Sequence, residues 1–92
     1  MAKIYAISYD LRTPGRNYSG LYDALKSCGN SYQHPLESTW FVATDKSAAD
    51  VYNLLFEHID PNDLLSIFEV NKSNYYGWMP KTFWDWYNTY DS

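Results

Sequence analysis

The fold is decided by the stretch Lys3-Ile4-Tyr5-Ala6-Ile7-Ser8-Tyr9-Asp10-Leu11. Its Ile and Tyr content suits a strand, and the two-residue period sets Ile4, Ala6, Ser8 and Asp10 on one face and Tyr5, Ile7, Tyr9 and Leu11 on the other. The first face is small and the second bulky, so the small side suits close approach of a second sheet. Next comes a turn-type loop, Arg12-Thr13-Pro14-Gly15-Arg16. Asn17 is the expected N-cap of a helix with Tyr18, Leu21, Tyr22, Leu25 and Cys28 at helical spacing, and Gly29 is expected to end it.

Beyond that helix, residues 30–33 read as a short edge strand, since Pro35 keeps the segment out of a central position. Residues 38–44 are a strong β run of β-branched and aromatic residues. Ser47-Ala48-Ala49-Asp50 resembles a capping box, with Asp50 where Glu is usual, and opens a helix whose apolar face is Ala48, Val51, Tyr52, Leu55 and Ile59. Asp60-Pro61-Asn62-Asp63 stops that helix. Residues 64–70 form the last strand, and residues 71–77 are polar and turn-rich. Pro80 sits in the first turn of a terminal helix with Phe83, Trp86, Tyr87 and Tyr90 on one face.

The order βαββαβ predicts an α+β, ferredoxin-like fold: an antiparallel four-stranded sheet with two helices on one face, plus an aromatic C-terminal helical tail. Residues 1–92 are expected to form one domain, with a core over about 3–71 and the tail over 72–92. The reverse face of the sheet is then uncovered, and either another element covers it or it is polar.

Composition narrows the function classes. A chain of 92 residues leaves no room for a two-domain enzyme, while 46% hydrophobic and 20% charged residues suffice for a core. Ten Tyr, four Trp and four Phe are more aromatics than a core of this size needs, and such an excess tends to lie at interfaces or ligand surfaces. The net charge of −4 does not attract a phosphate backbone and argues against an ordinary nucleic-acid binder. A single cysteine, Cys28, excludes an intramolecular disulfide and a thiolate metal cluster and points to a reducing compartment. No long apolar stretch follows Met1-Ala2-Lys3-Ile4, so neither signal peptide nor membrane span is expected, and the expected location is the cytoplasm.

Three groups of residues carry the resemblance to a known family: residues 4–11, the helix start Arg16-Asn17-Tyr18, and Ser38-Thr39-Trp40-Phe41-Val42 followed by Asp60-Pro61-Asn62-Asp63-Leu64-Leu65. Over residues 3–71 the chain resembles the SinR-type small proteins and, more distantly, the CRISPR-associated Cas-two family. The resemblance implies a ferredoxin-like protomer that pairs into a symmetric dimer through its sheet face. It also implies that the strand-end aspartate, here Asp10, lies at the dimer cleft, where it has been treated as a divalent-metal ligand of a nuclease, while other members scaffold DNA.

Read from the residues, Asp10 is the group with most chemical potential: with its symmetry twin it could hold one Mg²⁺, acting as metal ligand and catalytic residue. Its other role is to cap the following loop through backbone amides. Arg12 and Arg16 could grip a phosphate or pair with a carboxylate. His34 and His58 read as exposed loop and helix-end residues, and Cys28 as a buried small hydrophobe. In the tail, Trp78, Trp84 and Trp86 are candidate binding residues, packing on the chain's own sheet or a neighbouring protomer, meeting a foreign protein partner, or, least favoured because only Lys72 and Lys81 are near, stacking on nucleic-acid bases.

The expected function is therefore a homodimeric, non-catalytic Cas-two-like binding module acting through protein–protein contact, in a phage or defence setting that the resemblance implies. The alternative is a Mg²⁺-dependent endonuclease of RNA or DNA with paired Asp10, and a lesser one is an acidic DNA mimic.

Overall fold

The computed structural model describes residues 2–90. Seven elements follow one another: β1 (Lys3–Asp10), α1 (Ser19–Ser27), β2 (Ser31–Leu36), β3 (Thr39–Thr44), α2 (Ala48–Phe56), β4 (Leu64–Glu69) and α3 (Lys81–Thr89). The strands form one sheet in the order β2-β3-β1-β4, and every neighbouring pair is antiparallel. This is the α+β, ferredoxin-like arrangement, with β1 and β3 as its central strands and β2 and β4 at its edges.

The faces of β1 divide as its two-residue period requires. Tyr5 and Ile7 are buried with Leu21 and Leu25 of α1, Val51 and Leu55 of α2, Trp40 and Val42 of β3, and Cys28. Tyr9, Leu65 and Ile67 pack against the margin of this cluster. Apolar burial of this kind is the main favourable term in folding. Where an aromatic ring enters the cluster, its polar atom is paired: Trp40 Nε1 donates to the Tyr9 hydroxyl at 3.1 Å, and the Tyr5 hydroxyl donates to the Lys46 carbonyl at 2.8 Å.

Local signals set the helix starts. At α2, Ser47 is the N-cap and its side chain accepts from the Asp50 amide at 3.1 Å, half of the reciprocal capping box. Asn17 acts one residue further out than a cap, its Oδ1 accepting from the Ser19 amide at 2.9 Å, so Tyr18 holds the N-cap position of α1. Pro80 occupies the N-cap of α3, and its carbonyl receives the Phe83 and Trp84 amides. α2 ends at Phe56, before the Ile59 of its expected face, although Ile59 still packs against the core. β2 runs past Pro35 to Leu36, with the register shifting between Gln33 and Leu36. An edge strand tolerates proline in that way because its outer side needs no donor.

Gly29 departs from expectation in mechanism. It follows the αR C-cap residue Cys28, and Gly15 (φ 81°) is the positive-φ residue among those described. Gly29 is required for space: a Cβ there would stand 2.6 Å from the Ala43 carbonyl oxygen and 2.6 Å from Val42 Cγ1.

Candidate functional site

The reverse face of the sheet carries Ile4, Ala6, Ser8 and Asp10 of β1, flanked by Phe41 and Ala43 of β3 and by Leu64, Ser66 and Phe68 of β4. The chain's own α3 lies over one half of it. Phe83 and Tyr87 are buried against Ile4 and Ala43, with Phe41, Val70, Met79, Trp84, Trp86 and Tyr90 packed around them. α3 thus belongs to a second core cluster, because its apolar face matches the small side of β1, where Ile4 and Ala43 leave room for two rings. Rings meet edge-on at 4.9 Å between Phe41 and Phe83, an arrangement favoured by their quadrupoles.

The three candidate tryptophans have different surroundings. Trp86 anchors α3 to the sheet edge, its Nε1 donating to Ser31 Oγ at 2.7 Å. Trp84 packs between Tyr75, at 5.8 Å, and Tyr87, at 5.8 Å. Trp78 projects from the loop before α3 and is 99% exposed, as fully as its neighbour Tyr76. Tyr75, Tyr76, Gly77, Trp78, Met79, Trp84 and Asn88 line one open cleft. An exposed tryptophan beside a second exposed aromatic is an apolar surface of the kind that partners cover.

The uncovered half of the reverse face ends at Asp10. Its exposed carboxylate is engaged by the guanidinium of Arg12, from both Nε and the terminal nitrogen at 3.0 Å. Beside it, Ser8 and Thr39 hydroxyls bond each other at 2.9 Å. Arg16 pairs with Asp60, also donates to the His58 carbonyl at 3.3 Å, and lies over the Tyr18 ring. The two arginines therefore serve different carboxylates. Among the described residues no group of three His, Cys, Asp or Glu side chains is placed to hold a metal ion. The buried Cys28 thiol is pushed up by desolvation, and the His34 ring stacks on Trp40 at 4.0 Å.

The amide-capping role belongs to Asp63, whose only signal in the sequence was the Asp-Pro-Asn-Asp turn. It is buried, and its carboxylate accepts from the Arg12 amide at 2.7 Å, the Asp60 amide at 2.8 Å and the Tyr18 hydroxyl at 2.8 and 2.9 Å. These bonds tie the loop after β1 to the turn before β4. Burial works against the charge, but the two amides, the Tyr18 hydroxyl and the nearby Arg16 outweigh it and hold the carboxyl below its ordinary value. A depressed carboxyl contributes stability that is complete above its unfolded value and is lost as pH falls through its folded one. The melting temperature should therefore drop more steeply below about pH 4, the range of an unfolded carboxyl. Asp63→Asn should lower it by several degrees at pH 7 and flatten the acid limb; an unchanged pH profile would show that Asp63 does not hold these loops.

No helix among the described residues is long and apolar enough to cross a membrane. No family model, curated protein or solved structure matches the chain.

Proposed function

We propose that the chain is a homodimeric, non-catalytic binding module that engages a protein partner through its aromatic loop. The observation that carries this reading is the full exposure of Tyr76 and Trp78 beside a cleft walled by Tyr75, Met79 and Trp84. Trp and Tyr are the residues that most often anchor interfaces, combining large contact area with few rotatable bonds. The net charge of −4 favours a partner surface that is neutral or basic over a phosphate backbone. The loop is braced by α3, so its rings are presented on a packed support.

A photo-crosslinking residue at position 76 identifies the partner, whose affinity is then measured with purified components. Trp78→Ala should weaken that complex roughly 30-fold, the size of an interface hot spot, with no change in melting temperature. An affinity unaffected by Trp78→Ala rejects the loop as the binding element. Mg²⁺-dependent cleavage of RNA or DNA that disappears in a folded Asp10→Ala variant would replace this reading with the endonuclease one.

A further inference from the structure

The two edges of the sheet are finished differently. β2 carries Pro35 and a register shift, and its first residue, Ser31, is held by Trp86 of α3; devices of this kind blunt an edge against strand addition. β4, Leu64-Leu65-Ser66-Ile67-Phe68-Glu69, has no proline and no lysine and runs in unbroken register with β1. The Val70 amide donates to the Ile4 carbonyl at 2.8 Å, which sets the phase of the ladder. Leu64, Ser66 and Phe68 exchange hydrogen bonds with β1, and the peptide groups of Leu65, Ile67 and Glu69 point out of the sheet. Among the described residues, no backbone hydrogen bond outside the regular elements reaches those three.

Large apolar side chains flank this open edge in both layers. On the reverse face Leu64 is 52% exposed and Phe68 70%. In the helix layer Val51 and Leu55 point at the sheet, while Leu54, Glu57 and His58 share a pocket wall with Gly20, Ala24 and Cys28 and so lie toward α1. At about 100° per residue, Tyr52 and Phe56 fall on the side away from α1, beside β4. Their rings stack at 5.3 Å, with Tyr52 41% and Phe56 54% exposed.

We propose that β4 is the pairing edge of a two-fold dimer, in which β4 of a second copy adds antiparallel to it and joins two four-stranded sheets into one of eight strands. This rests on the homodimer proposed above and names its contact. The strand is self-complementary: a two-fold axis at Ser66 sets Leu64 opposite Phe68 of the second copy, on the same face, and Leu65 opposite Ile67, where the outward peptide groups bond. Strand pairing alone covers less than the ~1,200–2,000 Å² of a stable interface; Tyr52, Phe56, Leu64 and Phe68 widen the contact above and below the seam. Two β4 strands then separate the β1 strands by three strand spacings, about 14 Å, so the two Asp10 carboxylates do not share an ion. The aromatic loop stays free for its partner.

The test is analytical ultracentrifugation of the full chain at about 100 µM, far above a ~1 µM dissociation constant, with amide hydrogen exchange followed by NMR. The expected result is a dimer in which the Leu65 and Ile67 amides exchange more slowly than in dilute protein. Phe68→Lys and Phe56→Lys, both at exposed positions in different layers, should each raise the dimer dissociation constant at least about tenfold, and Trp78→Ala should leave it unchanged. A dimer whose Leu65 and Ile67 amides gain no protection, and which tolerates both lysines, overturns the edge pairing and leaves the homodimer standing. A monomer at that concentration overturns both.

Discussion

Phe83→Ala should destabilise the protein by about 3–5 kcal/mol, a large share of the ~5–15 kcal/mol that holds a domain together. Phe83 is 2% exposed and meets Phe41, Trp84, Trp86 and Tyr87 ring to ring. Truncation removes its transfer free energy and leaves a cavity that rigid neighbouring rings fill poorly. In a domain of this size the melting temperature should fall by more than about 10 °C, read by thermal and urea unfolding. Trp78→Ala is the control, because a fully exposed side chain contributes within about 0.5 kcal/mol. A loss below about 1 kcal/mol for Phe83→Ala would mean that α3 is an appendage and that the reverse face stands without it.

Gly29→Ala should cost about 3 kcal/mol, the upper end of an overpacking penalty, for the addition of a single methyl group. The new carbon meets the Ala43 carbonyl oxygen at 2.6 Å. That oxygen is itself held by the Asn30 amide at 2.7 Å and belongs to the backbone of a central strand, so neither partner can retreat. Gly77→Ala is the comparison, since its Cβ would make ordinary contact with Trp84 at 3.9 Å and should change stability by no more than about 0.5 kcal/mol. Equal effects of the two substitutions would show that chain entropy at glycine, and not the approach of Gly29 to β3, governs both positions.

Much of the architecture was legible along the chain because it is written in short-range periods. The alternation of residues 3–11 sorts Tyr5 and Ile7 from Ile4 and Ala6 without knowledge of any neighbour, and Ser47 with Asp50 starts α2 through atoms three residues apart. The candidate site was legible only as residue types. Asp10 and Arg12 are neighbours in sequence and meet in the fold, but Arg16 meets Asp60 and Asp63 meets Arg12 across a separation that no local pattern reports. Asp63 was read as part of a helix stop, and its burial depends on Tyr18 and the loop after β1 closing over it.

The sequence alone determined which side chains share a face, the order of helices and strands along the chain, and that the chain carries more aromatic rings than one core layer uses, since hydrophobic period and capping are properties of neighbouring residues. Only the tertiary structure decided what covers each face. The terminal helix spends Phe83 and Tyr87 on one half of the reverse side and leaves Leu64, Phe68, Tyr76 and Trp78 in water. The physical reason is that burial depends on which elements meet in space: Phe83 and Ile4 are 79 positions apart, and their contact exists only because the sheet lays the first strand beneath the last helix.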